Sequence, residues 1–103
     1  MAETRTYAYE GMFLFPQTVA ADLQGAADHI LEILSKGNAE LLSLSKWDER
    51  RLAYDIKGNK RGVYFLSRFT ADTRKVKEIE RDCRLSEKML RALIVRNDEL
   101  TEE

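Results

Sequence analysis

The chain has 103 residues, 44% hydrophobic and 34% charged, with a formal net charge of −1, a composition that indicates one soluble globular domain. No apolar stretch approaches the roughly 20 residues that cross a bilayer, and no signal-peptide pattern follows the first residue. The single cysteine excludes an internal disulfide and there is no Cys/His cluster for zinc, so a cytoplasmic protein is expected.

The first predicted elements are a strand and a helix. Residues 7–15 (YAYEGMFLF) are rich in aromatic side chains, are apolar on both faces near Phe13, and are followed by Pro16, so they predict a central strand. From Gln17 or Thr18 to Gly37 the apolar spacing changes to that of a helix. The predicted inward stripe of this helix is Val19, Leu23, Ala26, Ala27, Ile30, Ile33 and Leu34.

The middle of the chain predicts a long β-hairpin. Residues 39–56 are extended, with Leu52, Tyr54 and Ile56 on one face, which we expect to lie on a core. At about 3.3 Å per residue the run would span roughly 60 Å, so it should project beyond the domain or bulge around residues 47–50. A turn over residues 57–62 joins it to a strand over residues 63–69.

The remaining elements complete the pattern β-α-β-β-α-β. A second helix is predicted from Asp72 as N-cap, with Val76, Ile79, Cys83 and Leu85 facing inward, and a last strand covers residues 90–96. This order predicts an α+β, ferredoxin-like sandwich: a four-stranded antiparallel sheet with two helices on one face. Strands one and three should be central. We expect one domain over residues 1–97 and a short acidic tail over 98–103.

Positive charge gathers on the predicted hairpin. Residues 46–61 contain six basic and three acidic side chains, a local charge of +3, whereas the first 45 residues carry −4. Phosphate contacts depend on the local patch more than on the total charge. The basic cluster is either a solvated strand end or a docking site for a polyanion, and RNA or a protein would fit the open sheet face.

The sequence contains few candidates for catalytic residues. His29 flanks the helical stripe and is interpreted as solvent-facing, and Cys83 lies four residues after Ile79, as a small core residue would. There is no glycine-rich phosphate loop, no metal-ligand spacing and no carboxylate pair in an apolar setting. We therefore expect no enzyme, no catalytic residue, no cofactor and no metal.

Residues 50–57 (RRLAYDIK), with Trp47 shortly before them, resemble the signature of the bacterial small-subunit ribosomal protein S-six family. Residues 9–14 (YEGMFL) resemble its first strand and residues 85–96 its last helix end and last strand, so the resemblance covers about residues 7–97. Where Asp48 stands the signature commonly has glycine, so the bend there must be milder or made differently.

The resemblance implies the same ferredoxin-like fold and a non-enzymatic, structural role. It implies binding of small-subunit rRNA in the central domain (platform), as a heterodimer with ribosomal protein S-eighteen, with no membrane and no small-molecule substrate. The resemblance, carried over by position, and the charge of the hairpin together predict the RNA- or partner-binding residues. They are Tyr9, Arg50, Arg51, Tyr54, Lys57, Lys60, Arg61, Arg91 and Arg96. Tyr54 could equally be a core residue, because it shares a face with Leu52 and Ile56.

Two other functions stay open. The first is a ferredoxin-like regulatory or oligomerisation domain that self-pairs through its open sheet or binds a small ligand. The second is an enzyme of the same fold that hydrolyses acyl phosphates, which would require a phosphate-binding loop and a positioned catalytic amide that the sequence does not show.

Overall fold

Residues 6–96 are described by a computed structural model, which contains four strands and three helices. The elements are β1 (Thr6–Pro16), α1 (Gln17–Ala20), α2 (Leu23–Lys36), β2 (Glu40–Ile56), β3 (Asn59–Asp72), α3 (Thr73–Leu85) and β4 (Arg91–Arg96). The strands form one antiparallel sheet in the order β2-β3-β1-β4. The predicted ferredoxin-like sandwich, with β1 and β3 at the centre, is therefore confirmed. The predicted acidic tail lies outside the described residues.

The helices cover one face of the sheet, and the other is open. Successive residues of a strand point to opposite faces, so Tyr9, Phe13 and Phe15 lie on the covered face. Phe13 pairs with Phe65 of β3 and Ala92 of β4, and the three side chains share that face. Burial of each large ring contributes about 1.5–3 kcal/mol, which anchors the sheet to the helices.

The predicted first helix is in fact two helices. Asp22 breaks the run: its carboxylate accepts a hydrogen bond from the Gly25 N–H at 3.0 Å and caps α2, while α1 is a single turn after Pro16. The prediction that Leu23 faces inward was wrong, because the break changes the helical phase and leaves this side chain 52% exposed. The helix ends before Gly37, as predicted.

Helix α3 begins as predicted after Asp72, whose side chain accepts a hydrogen bond from the Arg74 N–H at 2.9 Å. Ile79 and Cys83 are buried, which confirms Cys83 as a core residue. Leu85, predicted to face inward, is 72% exposed because the helix ends there and the chain turns away. None of the helices within residues 6–96 is long and apolar enough to cross a membrane.

His29 is not solvent-facing, contrary to the interpretation of its sequence position. Its side chain is 15% exposed, and its Nε2 lies 2.6 Å from the Oγ of Ser86, just after α3. Burial is the main reason why the pKa of this imidazole is lowered from its ordinary value. The residue joins α2 to the end of α3, which sequence spacing alone does not reveal.

Candidate nucleic-acid interface

The β2–β3 hairpin extends beyond the helices, in a molecule 47 Å long and 25–27 Å across. Its turn is tight, because Lys57 and Gly58 both adopt positive φ values of 50° and 82°. The Asn59 side-chain amide donates hydrogen bonds to the carbonyls of Ile56 and Lys57, each at 3.2 Å. These contacts fix the tip, where cationic side chains face solvent.

The β2–β3 pairing first shifts between Leu41 and Ser43 at the base of the hairpin, and two further irregularities shape its outer part. The pairing of β2 with β3 shifts between Lys46 and Asp48, which confirms the bulge predicted near residues 47–50. A larger shift follows, because Arg51 pairs with Arg61 but the next paired residue of β2 is Ile56, opposite Asn59. Residues 52–55 therefore leave the ladder, and their side chains no longer follow the alternation of a regular strand.

This second bulge decides the position of Tyr54. The ring is 61% exposed, so the reading of Tyr54 as a core residue was wrong, and Leu52 and Ile56 are only half-buried. The Arg91 guanidinium of β4 donates a hydrogen bond to Tyr54 Oη at 2.8 Å and lies 5.8 Å from the ring centroid. The hydrogen bond to Tyr54 is the main cause that raises the pKa of Arg91. Tyr54 thus links the hairpin to the opposite edge of the sheet.

The open face of the sheet combines aromatic rings with arginines that already have partners. Trp47 packs edge-on against Tyr64, with ring centroids 6.0 Å apart, and the Arg50 guanidinium lies 5.4 Å from the Trp47 centroid. Arg50 Nε also donates to Asp48 Oδ2 at 2.6 Å. This hydrogen bond is the main cause that lowers the pKa of Asp48 and raises that of Arg50.

Further along the open face, charge is again compensated and apolar side chains are exposed. Arg68 Nε lies 3.6 Å from Glu10 Oε2 across the β1–β3 pair. On β4, Leu93 is 57% and Val95 is 45% exposed. Their register opposite Met12 and Glu10 places both on the open face. A compensated, partly apolar surface of this kind suits a protein partner better than a polyanion.

The residues predicted from the sequence fall into three groups. Arg51, Lys57, Lys60 and Arg61 are exposed on the hairpin. Arg50, Tyr54 and Arg91 lie on or above the open face and contact other side chains of the protein. Tyr9 and Arg96 lie apart from both groups.

Tyr9 is 5% exposed in the core, where its ring stacks on Phe69 with centroids 5.8 Å apart. The Arg96 guanidinium lies 3.6 Å from the Tyr7 ring centroid, at the end of β4 that is remote from Arg91. Burial therefore keeps the Tyr9 ring away from any partner, and Arg96 is too distant to act together with the hairpin cations.

Sequence reasoning missed the part played by Trp47, Tyr64, Leu93 and Val95 on the open face. The alternation of side chains along β3 and β4 contained a signal for a shared face, because residues two apart in a strand point to the same side of the sheet. Assigning the open face required the register of β1 with β4, which pairs Phe13 with Ala92 and Met12 with Leu93.

Cys83 is a free, buried residue. Burial raises the pKa of the Cys83 thiol to about 12, so the thiolate is scarce at neutral pH. Among residues 6–96, no group of three His, Cys, Asp or Glu side chains is placed to hold a metal ion. Within the described residues, the hairpin carries exposed cations and the open face carries exposed apolar side chains.

Comparison with known proteins identifies one family. The profile of the family described as Ribosomal protein S6 matches residues 8–96. Small ribosomal subunit protein bS6 of Heliobacterium modesticaldum is 34% identical over 92 residues, which cover 88% of this chain and 96% of that protein. The protein of the same name from Campylobacter lari is 36% identical over 89 residues, 85% of this chain and 72% of that protein.

Solved structures agree on the fold. The 30S ribosomal protein S6 from Thermotoga maritima superposes with a TM-score of 0.79 at 21% identity, covering 95% of this chain and 94% of that one. The C-terminal domain of the MgtC protein from Mycobacterium tuberculosis gives 0.61 at 9% identity, with both chains covered completely. At these identities both similarities concern the architecture alone.

Proposed function

We propose two binding surfaces for this chain, because it belongs to the ribosomal protein S6 family. Members of this family are structural proteins of the cytoplasmic small ribosomal subunit and are not enzymes. The β2–β3 hairpin binds small-subunit rRNA of the central domain. The open face of the sheet binds ribosomal protein S-eighteen, as a heterodimer. Family membership removes the support for the regulatory and acyl-phosphate hydrolase alternatives.

One observation carries the RNA proposal: the cations of the hairpin have few acidic partners. Among residues 6–96, Arg51, Lys57, Lys60 and Arg61 make no ion pair within 4.0 Å. Cations that lack a carboxylate partner in the protein neutralise RNA phosphates without first breaking an internal ion pair. The basic residues of α3 differ, because Arg74 pairs with Asp72 at 2.7 Å and Lys75 with Glu78 at 3.8 Å.

The partner proposal is supported by the character of the open face. Its arginines are compensated by Asp48 and Glu10, and Trp47, Leu93 and Val95 are exposed beside them. Such a surface gains affinity by removing apolar side chains from water, with arginine and aromatic anchors at its centre. A protein on this face would leave the hairpin cations accessible to RNA.

Reversal of charge at the hairpin tip tests the RNA surface. We expect Lys57→Glu with Lys60→Glu to weaken binding of a central-domain rRNA fragment, in the presence of S-eighteen, by at least about tenfold at moderate salt. The slope of log affinity against log salt should become shallower by roughly one to two, because one or two phosphate contacts are lost. Filter binding at several salt concentrations measures both quantities.

The matched control is Lys77→Glu with Arg81→Glu on α3, which makes the same change in net charge at two exposed positions. Thermal unfolding must show that both double variants remain folded. Equal loss of RNA affinity in the two variants would mean that total charge matters and that the hairpin is not the RNA surface.

A further inference from the structure

Arg51 of β2 and Arg61 of β3 are directly opposite each other in the hairpin ladder. Their side chains therefore share one face, with Cβ atoms about 4.5–5.5 Å apart, and like charges in this arrangement repel. Both side chains are exposed, and neither makes an ion pair or a side-chain hydrogen bond within residues 6–96. The folded hairpin thus holds two arginines opposite each other on one face, and neither forms an ion pair with a carboxylate of residues 6–96.

Glu49 is an acidic residue on this face, and it already has other partners. Glu49 accepts a hydrogen bond from the Gln17 side chain and lies 3.7 Å from Lys46 Nζ. The Gln17 hydrogen bond is the first cause that lowers the pKa of Glu49, while Lys46 and Arg61 add attraction. One carboxylate therefore attracts two cations, Lys46 and Arg61, while Arg51 shares this face without an ion pair, and a positive excess remains.

The neighbouring Arg50 shows the contrast. Its side chain is on the other face of β2, where it holds Asp48 at 2.6 Å and covers Trp47. Arg50 and Arg51 are adjacent in the sequence and were predicted as equivalent contacts, but only Arg51 lacks a partner of its own. The hairpin face that carries Arg51 therefore has more uncompensated positive charge for binding an anion than the face that carries Arg50.

We propose that Arg51 and Arg61 together clamp a single phosphate of the RNA backbone, an inference that rests on the RNA-binding function proposed above. A guanidinium presents parallel N–H donors that match phosphate oxygens, and two of them on opposite strands reach the two non-bridging oxygens of one phosphodiester. The bound phosphate supplies the counterion that the pair lacks. The repulsion present in the unbound hairpin is relieved only in the complex.

A double-mutant cycle tests the clamp. The variants are Arg51→Gln, Arg61→Gln and the double substitution, with Arg81→Gln on the exposed side of α3 as the matched control. Binding of the central-domain rRNA fragment is measured with S-eighteen present, and thermal unfolding is measured on the chain alone at low salt.

Each single substitution of the pair should weaken RNA binding by about tenfold, the worth of one charge-assisted contact of about 1.4 kcal/mol. The double variant should lose much less than the product of the two losses, because either substitution already opens the clamp. Arg81→Gln should lose less than about threefold. Each substitution of the pair should also raise the unfolding temperature of the unbound chain, since it removes repulsion.

The clamp is overturned by any of four results. Losses that multiply in the double variant mean two independent contacts, and a loss at Arg81→Gln equal to that at Arg51→Gln means that total charge, and not a clamp, sets the affinity. A lowered unfolding temperature means that the two arginines stabilise the hairpin itself. Unfolding temperatures that rise and saturate with submillimolar inorganic phosphate mean that the ligand is free phosphate.

These results separate the two proposals. If the clamp variants behave as independent contacts while Lys57→Glu with Lys60→Glu abolishes binding, RNA binding by the hairpin stands and the clamp falls. If the unmodified heterodimer does not bind the rRNA fragment at all, the RNA function itself fails.

Discussion

The two faces of the sheet use alternate residues of the same strands for different purposes. In β1, Phe13 is 1% exposed beneath the helices, and its neighbour Met12 points to the open face, opposite Leu66 and Leu93. The covered face excludes water and holds the molecule together, whereas the open face leaves Leu93 57% exposed. Stability and binding therefore reside on neighbouring positions, and single substitutions should separate them.

The faces also differ in their treatment of charge. On the open face, the Glu10–Arg68 and Asp48–Arg50 pairs compensate the arginines. The core beneath the helices contains one buried polar side chain among residues 6–96, Ser67, whose hydroxyl donates to the Gly11 carbonyl at 3.2 Å. A partner that binds the open face thus contacts charges that are already neutralised. The core contains almost no polar groups, so a substitution there acts through packing.

The largest effect should come from the covered face. Phe13→Ala removes a ring that packs against Phe65 and Ala92, and it should lower the free energy of unfolding by about 3–5 kcal/mol. Urea unfolding at neutral pH measures the change. RNA affinity, corrected for the folded fraction, should not change, because Phe13 does not reach the cations at the hairpin tip or the open face. A corrected affinity that falls tenfold would show that the two faces are not separable.

A smaller effect, on binding alone, is expected on the open face. Leu93→Asp should weaken association with S-eighteen by at least about tenfold, since it places a charge in the apolar part of the proposed interface. Its free energy of unfolding should change by no more than about 1 kcal/mol, because the side chain is already half in water. Isothermal titration of the two purified proteins measures the affinity.

Leu85→Asp is the matched control for this substitution. Leu85 is 72% exposed, but it lies at the end of α3, away from the open face, and its substitution should leave the affinity unchanged. If the two variants bind S-eighteen equally well, the partner does not use the open face near β4.

The overall architecture could be predicted from the sequence because local signals agreed with one another. The change of apolar period after Pro16, the capping residue Asp72 and the two long hairpin strands determine the element order, and right-handed crossovers then determine the strand order. The RRLAYDIK signature predicted the family, and the match over residues 8–96 confirms it.

The geometry of the binding surfaces could not be predicted in the same way, because it depends on register. The alternation of Leu52, Tyr54 and Ile56 favoured a regular strand, but four residues of β2 bulge out opposite Lys60 and carry Tyr54 to Arg91. The difference between Arg50 and Arg51 likewise depends on Asp48 and Trp47 lying on the face of Arg50. Contacts of this kind are set by tertiary packing and not by local spacing.

The smallest predicted effect concerns pH and belongs to the covered side. His29 is the only histidine of the chain, and it packs at the edge of the Phe15 ring with centroids 6.3 Å apart. Its pKa is lowered first by burial and then by Lys88 and Lys36, while Glu32, 3.8 Å from Nδ1, opposes this shift. Ser86 Oγ accepts a hydrogen bond from the Lys88 N–H, so its own hydrogen is available to Nε2 of the neutral ring.

The sign of the effect follows from proton uptake. Between the ordinary pKa near 6.5 and the lower pKa of the folded protein, the unfolded chain binds more protons, so the free energy of unfolding falls as pH falls through this window. The unfolding temperature should decrease by no more than a few degrees from pH 7.5 to 5.5, and His29→Gln should abolish most of the decrease. His29 joins α2 to the end of α3 and does not contact the hairpin tip, so the RNA contacts of the hairpin should be unaffected. A decrease that survives in His29→Gln would place the titrating group elsewhere and would break the assignment of pH sensitivity to the covered side.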